Sequence, residues 1–398
     1  MLVMINPISL PLVTVLNGTL STAYVAGKRA LATPLLSKNS FLLLVGCFGF
    51  LLIHSVLVPT KDGGPIYVGK ALVLCLCAYF SIVQWSLLEQ RQQSMLRHWF
   101  FGGLFFAAFY FFLKIYFDHW DQKLFMSLTG IVKRLGAEYG NRPAVVLAVW
   151  IWPILLYCRL TLFKKSKVAF SVVTASLLVL VAYAIFQTKS ETAQAAIVIS
   201  GVCFVLASLN LTWTRRFLGS GIILVLLTFP LLTHQIYEKY GHEAEFLPFS
   251  SKHRLVIWSY TSELVQAKPF SGRGLRAAHS GELIDLDTDG NAKRIQLTED
   301  RYVPRLIAHH PHNMALQIWL EFGLFGVAFA VALIALFFRF LGTLAASIQR
   351  FALSSVAAFT VSCLVGYGLW QTWLLGVAFW ALLAFTMLNA HENSRQDE

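Results

Sequence analysis

Long apolar stretches alternate with short polar connections along most of the chain. Each stretch is close to the roughly 20 residues that a helix needs to cross the hydrocarbon core of a bilayer. They lie near residues 41–58, 66–88, 99–117, 143–162, 168–187, 193–211, 217–236, 313–338, 345–366 and 369–390. Residues 2–24 are apolar enough for one more span or a short hairpin. The pattern therefore predicts an all-α, polytopic integral membrane protein with about 10 to 12 transmembrane helices.

The composition supports a membrane protein and argues against a soluble one. Of the 398 residues, 57% are hydrophobic and 13% are charged, whereas soluble domains carry about 25% charged residues. The net charge of +12 comes from basic residues in the short connections and not from a basic stripe on a soluble domain, so we expect no nucleic-acid partner. All six cysteines lie inside predicted spans, which predicts packing roles and neither a disulfide framework nor a zinc site.

Charge also predicts the sidedness of the connections. Basic residues gather in alternate connections, which the positive-inside rule assigns to the cytoplasm. The connections left for the outer side are 59–65, 118–142, 187–192, 237–312 and 367–368. Helical spacing within 118–142 predicts an amphipathic helix on the outer surface, whose basic face either meets lipid phosphates or is solvated. The chain thus divides into N-terminal transmembrane helices (1–236), a long outer loop (237–312) and C-terminal helices with a cytoplasmic tail (313–398).

The long outer loop holds six of the eleven histidines and is long enough to carry function. Its segment 251–267 has helical spacing and includes Arg254. In the turn that follows, Gly272 and Gly274 would let backbone N–H groups approach a ligand beside Arg273, which outlines an anion site. A helix C-terminal turn with solvated arginines fits the same pattern.

His312 directly precedes Asn313 and the start of an apolar helix, and Pro311 comes before it. The positive end of the helix dipole disfavours an imidazolium, so we expect His312 to stay neutral and able to accept a proton near pH 7. A histidine in this position is also typical of helix capping or packing. His309 and His310 could form a metal cluster with it, but no carboxylate pattern surrounds them, and we expect no metal.

Two further polar segments each have competing interpretations. Lys189 lies in a tight turn on the same predicted side as the long loop, where a lysine either binds an anion or snorkels to the membrane surface. The run from Asp285 to Gly290 has the D-x-D-x-D-G opening of a calcium loop, but Gln296 replaces the bidentate glutamate at the twelfth position. A nucleotide-sugar site conflicts with the predicted topology, because activated nucleotides are cytoplasmic. We therefore expect a structural acidic turn.

Three motifs on the predicted outer side point to one known family. The first joins an Arg-x-x-x-Trp helix at 254–258 to a Pro-x-x-Gly-x-Gly turn at 269–274. The second starts with His-Asn and continues through Leu-Gln-x-Trp-Leu-Glu-x-Gly within 312–326. The third is the Thr-Lys-Ser turn at 188–190. Together they resemble the O-antigen ligase family of membrane glycosyltransferases, whose members commonly have arginine where this chain has Lys189.

The resemblance implies a fold, a reaction and partners. The fold is a glycosyltransferase C-like membrane fold, shared with O-antigen polymerases and some protein O-oligosaccharyltransferases. The reaction is transfer of a completed polysaccharide from undecaprenyl pyrophosphate to a sugar of the lipid A core, on the periplasmic face of the bacterial inner membrane. The partners are the lipid-linked O-antigen donor, the lipid A core acceptor and membrane lipid. No cofactor is implied.

The resemblance also implies roles for individual residues. His312 would take the proton from the acceptor hydroxyl as that oxygen attacks the anomeric carbon in a single, inverting displacement. Arg254, Arg273 and Lys189 would bind the pyrophosphate and stabilise it as it leaves, so that no metal is needed. The supporting residues would be Asn313, Gly272 and Gly274.

Three other functions stay open at this point. An O-antigen polymerase uses the same donor chemistry with a second lipid-linked repeat as acceptor, although such polymerases tend to have two large outer loops and here one dominates. A protein O-oligosaccharyltransferase fits a long outer loop equally well. A transporter of lipid-linked sugar is least favoured, because it needs charged groups along a path through the midplane and the spans after residue 192 are nearly free of charge between their ends.

Overall fold

The computed structural model describes a helical protein with one small β-hairpin. The described residues are 9–27, 38–61, 64–117, 123–124, 127–128, 140–163, 166–240, 247–279, 283–298, 301–307 and 309–396. The helices are α1 (Leu10–Gly27), α2 (Lys38–Leu57), α3 (Gly64–Leu87), α4 (Gln90–Tyr116), α5 (Asn141–Tyr157), α6 (Lys167–Phe186), α7 (Glu191–Leu209), α8 (Leu211–Tyr240), α9 (Phe249–Ala267), α10 (Met314–Leu341), α11 (Ala346–Val365) and α12 (Thr372–Gln396). The antiparallel hairpin, β1 (Arg294–Thr298) and β2 (Arg301–Pro304), lies between α9 and α10.

The prediction of an all-α, polytopic membrane protein is confirmed. Within the described ranges, nine helices are long and apolar enough to cross a membrane, namely α3 to α8 and α10 to α12. The predicted apolar stretches near 2–24 and 41–58 overlap α1 and α2, respectively. The amphipathic helix expected within 118–142 falls mostly outside the described residues.

Helix α5 forms the centre of the bundle. Its residues from Pro143 to Tyr157 are all buried, and α7, α11 and α12 pack around it. Two polar contacts fix its neighbours: Trp150 donates from Nε1 to the carbonyl of Val377 at 3.1 Å, and Ser355 donates from Oγ to the carbonyl of Val149 at 3.0 Å. A helix that is apolar on every side and surrounded by other helices provides a rigid frame for the connections at its ends.

The connections that the charge pattern grouped on one side do meet at one end of the bundle. Thr60 donates to the carbonyl of Leu275 at 2.8 Å, and Ser250 donates to the Glu191 carboxylate at 2.9 Å. We call this end, which carries α9 and the hairpin, the loop face. At the opposite end, the guanidinium of Arg215 donates to the Gln349 side chain at 3.2 Å.

Helix α10 is broken, whereas the sequence pattern predicted one continuous apolar helix. The break lies at Gly323, where φ is 60° and ψ is −155°. The backbone N–H of Arg273 donates to the carbonyl of Leu320 at 2.8 Å. The N–H of Gly274 donates to the carbonyl of Glu321 at 3.0 Å. The turn after α9 therefore docks into α10 at the break and supplies donors to the carbonyls of the broken segment.

Two glycines make this docking possible. Gly272 and Gly323 both have positive φ, 65° and 60°, which side chains with a Cβ rarely adopt. A Cβ on Gly272 would lie 2.5 Å from the carbonyl oxygen of Glu321, and a Cβ on Gly323 would lie 2.3 Å from the carbonyl oxygen of Phe270. The two chain segments thus approach each other backbone to backbone.

We expect Gly323→Ala to destabilise the protein more than Gly290→Ala. Both glycines have positive φ, but a Cβ on Gly290 would meet nothing within 4 Å. Gly290→Ala should therefore lower the stability only by the cost of a left-handed backbone in a residue with a Cβ, roughly 1–2 kcal/mol. Gly323→Ala should carry the same cost and, in addition, a clash of the new Cβ with the backbone of the docked turn. The measurement is thermal unfolding of both variants in detergent. Equal losses of stability would contradict the docking of the turn against α10.

The grouping of connections predicts the labelling of introduced cysteines. Thr288→Cys on the hairpin side and Ser166→Cys at the start of α6 occupy exposed positions at opposite ends of the bundle. In intact cells, an impermeant thiol reagent that reaches only the outer side of the membrane should label Thr288→Cys and leave Ser166→Cys unlabelled. The unsubstituted protein controls for its native cysteines, and permeabilised membranes should label both variants. The reverse pattern would overturn the orientation drawn from charge.

Candidate functional site

His312 lies on the loop face directly before α10, with a left-handed backbone (φ 54°). Its Nδ1 is 2.9 Å from the carbonyl oxygen of Gly366. Because a carbonyl oxygen only accepts hydrogen bonds, Nδ1 carries the proton and the lone pair of the neutral ring lies on Nε2. In the described part of the chain, no residue hydrogen-bonds Nε2. The imidazole is therefore oriented as a proton acceptor.

Asn313 fixes the start of α10 and with it the position of His312. Its Oδ1 accepts the N–H of Leu316 at 2.9 Å, which makes Asn313 the N-cap of the helix. Its Nδ2 donates to the carbonyl of Leu364 at 2.7 Å, and the side chain is wholly buried. The prediction that His312 lies at or next to a helix cap is confirmed, and Asn313 is the cap.

Arg254 lies on α9 close to His312 and to the turn that contains Lys189. The guanidinium is 3.6 Å from the carboxylate of Glu191, which begins α7, and Lys189 is exposed two residues earlier. One turn further along α9, Trp258 donates from Nε1 to the carbonyl of Pro311 at 2.8 Å. These contacts bring Arg254, the Lys189 turn and the segment that carries His312 together.

The electrostatic environment keeps His312 neutral. Burial lowers the pKa of His312, and the positive charges of Arg254, His253 and His309 lower it further. The hydrogen bond to Gly366 works in the opposite direction and raises the pKa. The net effect is a pKa below the usual 6.5. The imidazole thus remains unprotonated at neutral pH, as a general base must.

Arg273 lies at the other end of α9 from Arg254. Its Nε donates to the carbonyl of Leu264 at 3.3 Å, and its charge acts on the Tyr260 hydroxyl. Since a helix rises about 1.5 Å per residue, Leu264 lies roughly 15 Å along α9 from Arg254. The structure therefore brings Arg254 and Lys189 towards His312, and it holds Arg273 in a different part of the loop face.

The backbone donors of Arg273 and Gly274 are not available to a ligand. Their N–H groups are occupied by the carbonyls of α10, and Gly272 contacts the same helix. The expectation that both glycines expose their amides to an anion is therefore wrong for Gly274. The physical reason is the break in α10, whose carbonyls take up those donors.

The acidic segment between α9 and the hairpin forms a turn held by its own residues. The Asp287 carboxylate accepts the N–H groups of Asp289 and Asn291 at 3.0 and 2.9 Å. Asp285 pairs with Lys293 at 2.9 Å and with Arg305. Burial raises the pKa of Asp285, but the hydrogen bonds and charges of Lys293 and Arg305 together outweigh it and lower the pKa. Among the described residues, no group of three or more His, Cys, Asp or Glu side chains is arranged to hold a metal ion.

Several residues of the site had no distinctive signal in the sequence. Glu191, which forms an ion pair with Arg254 and accepts from the hydroxyls of Ser250 and Ser251, is an ordinary acid in the first turn of a helix. Gly366 contributes only its carbonyl. The acid could have been suspected from its place beside Lys189, but no pattern would reveal a backbone carbonyl that orients a histidine.

Comparison with known proteins agrees with these motifs. Residues 176–331 match the family model described as O-antigen ligase. This range covers the Lys189 turn, α9 and the first part of α10. The resemblance to the O-antigen ligase family is thus confirmed over the part of the chain that carries the motifs. No solved structure matches the chain.

Related proteins from three Rickettsia species are named as polysaccharide ligases. The protein from Rickettsia bellii is 27% identical over 53% of this chain and 50% of its own length. The protein from Rickettsia typhi is 25% identical over 62% of this chain and 58% of its own length. The protein from Rickettsia conorii is 27% identical over 66% of this chain and 61% of its own length. The chain thus spans about half to three fifths of the length of these relatives.

The site geometry predicts how His312 titrates. His312 should become protonated only below pH 6.5, and Arg254→Gln should raise its pKa because a nearby positive charge is removed. Arg273→Gln is the matched control and should leave the pKa unchanged. The measurement is an NMR titration of histidine-labelled protein in nanodiscs, with His312→Gln to assign the signal. A pKa of His312 above 6.5, or equal shifts from both arginine variants, would contradict the geometry.

Proposed function

We propose that the protein is an O-antigen ligase, a glycosyltransferase that moves polysaccharide from undecaprenyl pyrophosphate to the lipid A core on the periplasmic face of the inner membrane. The observation that carries the proposal is the hydrogen bond from His312 Nδ1 to the Gly366 carbonyl. It leaves Nε2 available as a base close to the cation of Arg254. The family match over residues 176–331 supports polysaccharide transfer as the reaction class.

In the proposed reaction, the acceptor hydroxyl is the nucleophile. His312 Nε2 takes the hydroxyl proton as the oxygen forms a bond to the anomeric carbon of the donor. The bond from that carbon to the pyrophosphate oxygen breaks in the same step, so the configuration at the carbon inverts. The proton rests on His312, and the negative charge leaves with the undecaprenyl pyrophosphate.

Cationic side chains would stabilise the leaving pyrophosphate without a metal. Arg254 is the main candidate, because its planar guanidinium has five N–H donors and can keep its contact with Glu191 while it binds phosphate oxygens. Lys189 adds a point charge from the neighbouring turn. We assign Arg273 a weaker role, in binding the lipid-linked donor further along α9. Asn313 supports the base through its cap on α10.

His312→Ala should abolish transfer while the protein remains folded and inserted. A general base contributes about 10² to 10⁴ in rate, and the loss should appear in kcat because the imidazole acts on the acceptor proton. The assay combines purified protein with lipid-linked polysaccharide and lipid A core and scores capped lipopolysaccharide. Transfer within a few-fold of the unsubstituted rate would remove His312 as the base. Extension of the donor polymer without capping would instead identify a polymerase.

Arg254→Lys should lower transfer activity, whereas Lys189→Arg should not. One ammonium cannot reproduce the bidentate phosphate contacts of a guanidinium, so Arg254→Lys should lower kcat/KM by about 10- to 100-fold. Lys189→Arg restores the residue common in the family and should be tolerated. Arg273→Gln should cost less than Arg254→Gln. Equal losses in the two charge-conserving variants would reject the distinct role given to Arg254.

A further inference from the structure

We propose that His310 and Gln371 are positioning residues, which hold the backbone and the ring of His312 so that its Nε2 faces the acceptor. The inference rests on the proposed function of His312 as the base. Gln371 and Gly366 belong to the connection between α11 and α12, residues 366–371, which lies outside the range that matches the family model. This connection would therefore complete the site from a distant part of the sequence.

The first contact in this arrangement is between the two histidines. Nδ1 of His310 accepts the backbone N–H of His312 at 3.1 Å, and the two ring centroids are 4.3 Å apart. His312 precedes α10 and has a left-handed φ. A residue with a Cβ keeps this conformation only when its surroundings stabilise it. The His310 ring provides that support, both as an acceptor and as a packing surface.

Gln371 holds the His310 ring from the other side. The side-chain amide of Gln371 lies 2.8 Å from Nε2 of His310 and 3.1 Å from the indole Nε1 of Trp373. Because Nδ1 of His310 accepts the N–H of His312, the proton of the neutral His310 ring lies on Nε2. Nε2 therefore donates to Gln371, and the amide orientation that satisfies this contact presents its oxygen to the ring.

The rest of the connection is anchored to α10. The N–H of Leu369 donates to the Gln317 side chain at 2.7 Å, and Trp370 donates from Nε1 to the carboxylate of Glu321 at 2.6 Å. Gln317 in turn donates to Glu321 at 2.8 Å. Gly366 and Gln371, at the two ends of the connection, are therefore held in fixed register with the helix that His312 begins.

The charges around the pair are consistent with two neutral imidazoles. Burial and the neighbouring histidines lower the pKa of His310 to about 3, so it adds no cation beside the base. The titratable groups that act on the pair are Arg254 and His253 on α9, His309 next to it in sequence, and His279 after the docked turn. Tyr367 is the titratable residue of the connection.

The test uses variants that remove the contacts one at a time. Gln371→Leu removes the amide, His310→Leu removes the acceptor and the ring, and His310→Asn keeps an acceptor that can reach the N–H two residues on. Gln349→Leu is the matched control, because the side chain of this buried glutamine is also hydrogen-bonded at its oxygen and its nitrogen but lies at the opposite end of the bundle.

The first measurement is the tautomer of His312 from nitrogen chemical shifts of histidine-labelled protein in nanodiscs, which does not depend on transfer. The unsubstituted protein should have the Nδ1-protonated form. Gln371→Leu and His310→Leu should shift it towards the Nε2-protonated form, while Gln349→Leu should not. An unchanged tautomer in both site variants would overturn the proposal.

The second measurement is kcat, KM and their pH dependence in the transfer assay. Gln371→Leu and His310→Leu should lower kcat by about 10- to 100-fold, as loss of outer supporting contacts does at other sites, with KM unchanged. His310→Asn should recover most of the rate. Variants with an unchanged kcat, and with an unchanged decline of kcat at low pH, would overturn the proposal and leave the ligase function intact. If the variants show the tautomer shift but the unsubstituted protein transfers nothing, the proposed function alone is refuted.

Discussion

The backbone of α10 at Gly323 imposes the constraint on which the loop face depends. A helix broken inside a membrane-spanning segment releases carbonyl groups, and lipid offers no donor to satisfy them. Protein donors must do so, and here the N–H groups of Arg273 and Gly274 provide them. The turn after α9 is therefore fixed to the helix that begins with the proposed base, and α9 and α10 form one unit.

This unit places the proposed base and a cation side by side. Arg254 on α9 lowers the pKa of His312, so the same positive charge that would hold a phosphate also keeps the imidazole free to accept a proton. Glu191 shares the guanidinium and limits how far Arg254 can move. A lower pKa makes the imidazole a weaker base but keeps it unprotonated, which is the usual compromise for a histidine that works near neutral pH.

Much of the architecture follows from periodicity and charge, because both act through local sequence. The apolar stretches predicted the spans, the basic connections predicted which ends meet, and the His312-Asn313 pair predicted a helix start. The break at Gly323 and the docking of Gly272 were not predictable, because each depends on a segment about 50 residues away in sequence. The role of Gly366 also escaped prediction, since a carbonyl is present in every residue.

The hydrogen bond between His312 and Gly366 has a consequence for how such proteins can diversify. Taken alone, the long loop looks like a self-contained unit that could be moved from one such protein to another. Its histidine, however, is oriented by a carbonyl that follows α11, more than 50 residues later in the chain. A transplanted loop would thus keep the orientation of its histidine only if the recipient's connection between α11 and α12 had the same shape.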